Sequence, residues 1–490
     1  MFSLGIDVGS SSVKVALLDI ESGKCVGSAT NPKTEALIYS SQKGWAEQDP
    51  QSWWEYLCEG VHELAANNDM SKVVSIGISY QMHGLVAVDE NIKPLRNAII
   101  WCDSRAVPVG AEAFEGIGPE RCLEHLLNSP GNFTASKLAW VKRNEPELYK
   151  QVYKMMLPGD YITYCLTGEV TNTATGLSEG ILWDFKQNKR ADIVAEYFGI
   201  DSEKFCDLAP ALGISGRTTA KVQEVLGIPK GTPVSYRAGD QPNNAFSLNV
   251  LEPGEIAATG GTSGVVYGVT DMPKADPLSR VNTFLHVTPS KEPRLGILLC
   301  INGTGIMNAW ARRNVVPDLT YAEMNDLAAT VPVGCDGLTV LPFGNGAERV
   351  LGNKNVGARM AGVDLVRQHK AHIIRAVHEG IAFSFHYGIE IMKNLGLDPS
   401  VIRAGEANMF LNPVFRSTLA TLTNARIELY DTDGALGAAR GGALGAGFYA
   451  DAKEAFSGLT LCKVVEPEAD WKAPLEEAYG RWLEEVNRVL

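Results

Sequence analysis

The first thirty residues alternate between apolar and polar positions. Phe2, Leu4, Ile6 and Val8 stand between Ser3, Gly5 and Asp7, a period of two that predicts a strand with one apolar face. Gly9-Ser10-Ser11-Ser12 predicts a corner, Val13 to Ile20 a second strand, and Glu21-Ser22-Gly23-Lys24 a turn into a third strand over residues 25–29. The chain therefore opens as an antiparallel meander. Asp49-Pro50-Gln51 predicts a helix start, with Asp as N-cap and Pro in the first turn, and Trp53, Leu57, Val61 and Leu64 mark its buried face. Strands over Val73–Ser79 and Leu85–Val88, and helices near Thr134–Asn144 and Asp160–Thr167, continue a mixed α/β pattern.

Near residue 250 the opening layout returns. Glu255–Ala258 predicts a strand, Thr259-Gly260-Gly261-Thr262-Ser263-Gly264 a corner, and Val265–Val269 a second strand. Two such hairpins, each heading about half of the chain, point to a duplicated architecture with a cleft between the copies. A long helix follows from Ala371 to Leu395, where Ile373, Val377, Ile381 and Phe385 recur every fourth residue. Then come a strand over Val401–Ala404, a helix over Pro413–Leu422, a strand over Arg426–Tyr430 and a small-residue helix over Gly434–Tyr449. Glycine at 437, 441, 442, 445 and 447 disfavours that last helix in isolation. Close packing against another backbone is the expected compensation.

Composition narrows the partners. At 490 residues the chain exceeds a single core. It carries 57 acidic against 44 basic side chains, a formal charge of −13, which argues against nucleic acid or an anionic membrane as its partner. A phosphorylated small ligand stays compatible, because backbone N–H groups, helix N-termini and a divalent ion can hold it. The nine cysteines are scattered without a CxxC, as expected for reduced thiols in a cytoplasmic protein. The segment Met1 to Asp7 has no basic n-region, and no apolar run approaches the length of a membrane span.

Several short elements can carry chemistry, and each also has a plain structural reading. Asp7 ends a strand before a Gly/Ser corner, where it can orient a hydrated cation or simply form a turn; Lys14 can neutralise phosphate or face solvent. Asp240, between an apolar stretch and a predicted helix over Asn244–Leu248, reads as a general base or as an N-cap. Gln81, Met82 and His83 follow a strand end, the usual ligand-facing place in α/β proteins. Trp101, Asp103 and Arg105 combine a stacking face, an acceptor and a donor fork, suited to a polyol or to a surface ion pair. No GxxxxGK[ST], HExxH, GxSxG or strand-linked GxGxxG motif occurs.

Taken in order, these pieces resemble the FGGY carbohydrate kinases. The resemblance runs from Gly5-Ile6-Asp7-Val8-Gly9-Ser10 through Gly44-Trp45-Ala46-Glu47-Gln48-Asp49-Pro50, Gln81-Met82-His83-Gly84, Trp101-Cys102-Asp103-Ser104-Arg105, Gly239-Asp240 and Gly260-Gly261-Thr262-Ser263-Gly264 to Gly434-Ala435-Leu436-Gly437. It implies an actin-like fold of two ribonuclease-H-like α/β domains, residues 1–247 for the sugar and the base and 248–490 for the nucleotide. It further implies ATP and Mg²⁺ as cofactors, Asp240 as the catalytic base, and Asp7 with Asp240 at the metal. Gln81, Met82, His83, Trp101, Asp103 and Asn244 would meet the sugar. Gly9, Ser10, Ser11, Lys14, Gly261, Thr262, Ser263, Gly305, Gly405, Ala407 and Asn408 would border the nucleotide.

Within that resemblance, the Gln-Met-His-Gly element is similar to that of the members acting on xylulose and so implies D-xylulose, whose 5-phosphate feeds the pentose phosphate pathway, as the substrate. Another ketose or polyol (ribulose, gluconate, glycerol) is the nearest alternative, and a non-enzymatic actin-like sensor or filament subunit the alternative of another class. The expected partners are a small sugar and a nucleotide, with a homodimer left open. The sequence departs from the family at Ala404-Gly405-Glu406-Ala407-Asn408-Met409, where relatives carry a glycine triplet followed by Ala-Lys-Ser, and at Gly346-Ala347-Glu348-Arg349, which carries an inserted Ala.

Overall fold

The computed structural model describes residues 1–490. The chain forms two compact units. Unit 1 comprises Met1–Leu251, Phe284–Arg294 and Thr432–Leu459; unit 2 comprises Glu252–Thr283, Leu295–Asp431 and Thr460–Leu490. The first junction lies close to the 247/248 boundary read from the sequence, while residues 284–294 and 432–459 belong with unit 1 although they come later in the chain.

Unit 1 is built on six strands: β1 (Phe2–Val8), β2 (Val13–Asp19), β3 (Lys24–Asn31), β4 (Val73–Tyr80), β5 (Leu212–Arg217) and β6 (Pro233–Gly239). Their order is β5-β6-β4-β1-β2-β3. β1 and β2 are antiparallel with Asp7 opposite Lys14; β1 and β4 are parallel with Val8 beside Tyr80; β6 is parallel to β4 with Gly239 beside Tyr80. The carboxyl ends of three parallel strands therefore align, and the next residue of each (Gly9, Gln81, Asp240) leaves the sheet at one edge. That is where open α/β sheets hold ligands.

The small-residue helix spans Gly434–Gly445, stopping short of Tyr449, with Ala446 as C-cap and Gly447 at a positive φ. It lies directly on the sheet of unit 1. A Cβ on Gly5 would stand 1.7 Å from the Ala435 carbonyl oxygen, and one on Gly77 would stand 1.8 Å from that of Ala438. Ser3 Oγ donates to the Ala439 carbonyl at 2.6 Å, and Ser235 Oγ to that of Gly442 at 2.7 Å. The glycines that weaken the isolated helix thus create the approach that holds it.

The second sheet contains β7 (Glu255–Gly260), β8 (Gly264–Thr270), β9 (Asn282–Leu285, whose last two residues are counted with unit 1), β10 (Leu295–Ile301), β11 (Val401–Gly405), β12 (Arg426–Asp431) and β13 (Thr460–Val465), in the order β9-β10-β8-β7-β11-β12-β13. β7 and β8 form a hairpin closed at Gly260 and Gly264; β7, β11 and β12 run parallel; β10 and β13 flank them antiparallel. Unit 1 shows the same succession of two antiparallel pairings, two parallel ones and a last antiparallel one. The two hairpins are therefore equivalent positions in two copies of one sheet plan, as the repeated corner predicts. The helix Lys370–Asn394 buries Val377, Ile381 and Phe385 fully, whereas Ile373 stays at the rim. No helix is long and apolar enough to cross a membrane.

Gly77→Ala should lower stability by ~3 kcal/mol, because its methyl meets backbone that no rotamer change can move. Gly480→Ala, in an exposed helical position with open space around it, should raise stability by ~0.5–1 kcal/mol. Urea midpoints of the two variants check the contrast; a neutral Gly77→Ala would contradict the packing.

Candidate active site

At the aligned strand ends of unit 1 a cavity of about 360 Å³ is lined by Asp7, the corner Gly9 to Ser12, Lys14, Gln81, Trp101 and Asp240. Asp7 is the penultimate residue of β1, and Asp240 opens the helix Asp240–Ser247 directly after β6, with Gly239 as N-cap. The helix thus begins four residues earlier than the Asn244 start read from the sequence. Burial raises the Asp7 carboxyl above its usual range; the Asp433 charge adds to this, and the Ser79 hydroxyl and Lys14 ammonium offset part of it. Burial and then the Asp7 charge push Asp240 up to about 7, against the opposing contacts of Gln241.

Lys14 is engaged by Asp433, Nζ to Oδ2 at 2.5 Å, and Asp433 also caps the glycine-rich helix by accepting from the Leu436 N–H. Asp7 and Asp240, both lining the cavity, are the carboxylates that could hold a divalent cation. No cluster of three or more ligating side chains exists here. Mg²⁺ keeps several waters and takes substrate oxygens, so a pair of carboxylates fits it.

The strand-end segment is fixed from several sides. Gln81 donates from Nε2 to Gln48 Oε1 at 3.0 Å, and Gln48 donates to the Ser10 carbonyl at 2.7 Å, joining it to the first corner. His83 adopts φ 63°, in the left-handed region uncommon for a side chain with a Cβ. Its Nδ1 bonds the Glu179 carbonyl at 2.9 Å, and its own carbonyl accepts from Lys137 Nζ at 2.7 Å. Phe133 and Phe284 pack on the ring, with centroids at 4.7 and 5.5 Å. Lys137 is fully buried, and desolvation pulls it down to about 7 against the attraction of Asp103.

Other expected sugar-side residues divide. Trp101 lines the cavity, 53% exposed, with Nε1 donating to Ser10 Oγ at 3.3 Å. Asp103 is wholly buried and occupied: it accepts from the Ala46 N–H at 2.6 Å and from Arg105 Nε and Nη2 at 2.9 and 2.7 Å. Arg105 in turn stacks 3.7 Å over the Trp45 ring. Asp103 therefore holds the wall that carries Trp101. Asn244 sits in the helix after Asp240 but does not line the cavity; its neighbour Asn243 is the buried one, donating to the Gly434 carbonyl at 2.9 Å.

In unit 2 the expected nucleotide residues converge on one corner. The Gly305 N–H donates to the Gly261 carbonyl and the Ile306 N–H to the Thr262 carbonyl, both at 3.0 Å, so the helix Gly305–Val315 starts against the hairpin turn. A Cβ on Gly305 would lie 2.2 Å from the Gly261 oxygen, and one on Gly260 2.7 Å from Met409 Cβ. Asn408, at φ 52°, brings its amide to about the edge of Gly261, and nothing crowds Gly405. Thr262, Ser263, Ala407 and Asn408 are exposed.

Glu348 braces the turn before that helix, accepting the N–H groups of Asn302 and Gly303 at 2.9 Å each, with burial pushing it up to about 7. An apolar cavity of about 470 Å³ opens on another face of the same helix, at Ile306, Trp310, Pro342 and Met360. It is lined by no carboxylate.

Sequence reasoning missed Gln48, Lys137, Glu179 and Asp433 as site residues. Asp433 carries an N-cap signal before Gly434 and was findable; the other three are single polar positions whose partners lie far away in the chain.

The N-terminal domain model of the FGGY family of carbohydrate kinases matches residues 2–247, and the C-terminal domain model matches residues 256–448. The chain is 28% identical over 463 residues to the xylulose kinase of Bacillus subtilis, covering 92% of this chain and 90% of that protein. The ligand-bound xylulose kinase from Lactobacillus acidophilus superposes with a TM-score of 0.90 at 24% identity, covering 99% of this chain and 98% of that one. Plasmodium falciparum glycerol kinase with ADP superposes with 0.89 at 20% identity, covering 100% and 98%. These structural likenesses establish the fold, an actin-like pair of α/β domains shared by sugar and glycerol kinases. With both domain models matched over most of its length, the chain belongs to the FGGY family of carbohydrate kinases.

Proposed function

We propose that the protein transfers the γ-phosphoryl group of ATP to the terminal primary hydroxyl of D-xylulose, giving D-xylulose 5-phosphate and ADP. The observation that carries this reading is Asp240: a carboxyl at a strand end, beside Asp7 and the Gln81-Met82-His83 segment, with its proton affinity raised to about 7. A base tuned near the working pH is both ionised often enough and basic enough to take a hydroxyl proton. The similarity to xylulose kinases over nearly the whole chain supports the substrate, and the free state of all nine cysteines suits a cytoplasmic setting.

In this reading Met82, His83 and Trp101 orient the sugar, and Lys137 holds His83 in its unusual backbone conformation. Gln81, fixed through Gln48, sets the spacing between the sugar and the first corner. The attacking oxygen bonds to the γ-phosphorus as its proton passes to Asp240, and the bond to the ADP oxygen breaks. N–H and hydroxyl groups at Gly9 to Ser11 and Gly261 to Ser263, with Gly305, Gly405, Ala407 and Asn408, receive the nucleotide. Mg²⁺, held at Asp7 and Asp240, would neutralise charge on the phosphates. Catalysis rests mainly on positioning and on fixed dipoles.

Asp240→Asn should lower kcat by about 10³-fold or more while leaving a folded protein that binds sugar, read by ADP release and calorimetry; near-normal turnover would remove Asp240 as the base. The raised carboxyl pKa makes activity fail on the acid side. Below about pH 7, kcat/KM should fall roughly tenfold per pH unit, since a protonated Asp240 accepts nothing; a profile flat to pH 5 would contradict this. Lys137→Met should raise KM for the sugar by about tenfold with KM for ATP unchanged. Among D-xylulose, ribulose, gluconate and glycerol, D-xylulose should give the highest kcat/KM, and no sugar-dependent ADP release at all would favour a non-enzymatic nucleotide-binding role.

A further inference from the structure

Behind the sugar-facing segment stands a carboxyl that the mechanism does not use. Glu179 ends the short helix Ala174–Glu179 and is 2% exposed. Its Oε2 lies 2.5 Å from where a Cβ on Gly239 would be, and Met82 Cγ lies 2.6 Å from the same point, so Glu179, Met82 and the residue before Asp240 share one small space. The Glu179 carbonyl accepts from His83 Nδ1 at 2.9 Å. The side chain thus sits among all three elements assigned to the sugar.

Inside this space the backbone N–H of His83 draws the carboxyl partly down, but one of its oxygens has no partner. Oε1 is buried without a hydrogen-bond partner, a condition folded proteins seldom leave uncorrected. The Tyr80 phenol is near enough to draw the Glu179 pKa partly down, yet makes no hydrogen bond of ordinary geometry. Burial first, then the charges of Asp240 and Asp160, hold Glu179 well above the usual carboxylate range. The unpartnered Oε1 can accept from a hydroxyl of a polyol, which donates as well as accepts.

We propose that Glu179 is a specificity-determining residue whose side-chain carboxyl binds a hydroxyl of the sugar chain held by Met82, His83 and Asp240. The inference deepens the sugar-kinase reading above and rests on it. The hydroxyl concerned is one other than the hydroxyl that is phosphorylated, because Asp240 takes that one. Glu179 rejects analogues lacking its hydroxyl, since they leave the buried carboxyl unsatisfied.

The test is a kinetic comparison of wild type, Glu179→Ala and Glu179→Gln on D-xylulose and its monodeoxy analogues. Glu179→Ala should lose roughly 10–100-fold in kcat/KM on D-xylulose. On one analogue it should lie within about twofold of wild type, because the partner hydroxyl is already gone. Glu179→Gln, whose amide oxygen still accepts, should keep most of the wild-type ranking. A folded Glu179→Ala that ranks every analogue as wild type does overturns the proposal and leaves Glu179 as a support of His83 alone. Wild-type protein that phosphorylates another polyol instead overturns only the xylulose reading, and the same comparison then uses monodeoxy analogues of that polyol.

Discussion

The contact between the helix Gly434–Gly445 and the first sheet is made by backbone against backbone. Gly5 and Gly77 present no side chain, and Ala435, Ala438 and Gly442 fit into the space thus left. Dispersion acts at short range, and two polar surfaces at this distance must also satisfy each other. Ser3 and Ser235 do so by donating to helix carbonyls. The same approach sets the helix N-terminus over the end of β1, where Gly434 faces the Asp7 carboxylate and Asp433 engages Lys14. Moving the helix outward by one methyl would displace the charged corner with it.

The two units answer different chemical needs with one sheet plan. Unit 1 gathers carboxyls near its strand ends, and burial first, then a neighbouring carboxylate (Asp433 for Asp7, Asp7 for Asp240, Asp240 for Glu179), raises all three. Such crowding is unfavourable in an empty site and becomes favourable when a proton, a cation or a hydroxyl arrives. Unit 2 keeps its corresponding hairpin almost free of charge. Its turn offers glycine, threonine and serine, and the buried Glu348 is spent on two N–H groups of the next turn.

Much of this was legible in the sequence. Alternation located the opening strands, and the repeated Gly/Ser/Thr corner indicated the duplicated plan that the sheet pairings display. The glycine content of residues 434–447 implied a close backbone approach. Less legible were residues whose meaning depends on distant partners. Asp103 looks like a ligand acceptor in the linear sequence, but Arg105 and Ala46 use it fully. Lys137 looks like an ordinary helical lysine, yet it is buried against the His83 carbonyl. At Gly405-Glu406-Ala407-Asn408 the sequence departs from the family's glycine triplet, which costs the backbone freedom. The chain absorbs it by placing Asn, which tolerates the left-handed region, at φ 52°.

The order of segments along the chain also bears on how the protein is made. The first 251 residues contain every strand of unit 1's main sheet, but the helix that covers its glycine face lies beyond residue 431. During synthesis, a nascent chain that has completed this sheet must hold an uncovered groove through the translation of most of unit 2. Unit 1 is finished only near the end of translation, by contacts spanning more than 400 positions, such as Ser3 with Ala439. Long-range closure of this kind slows folding and lengthens exposure of sticky intermediates. A fragment cut at the linear domain boundary would lack the piece that completes it.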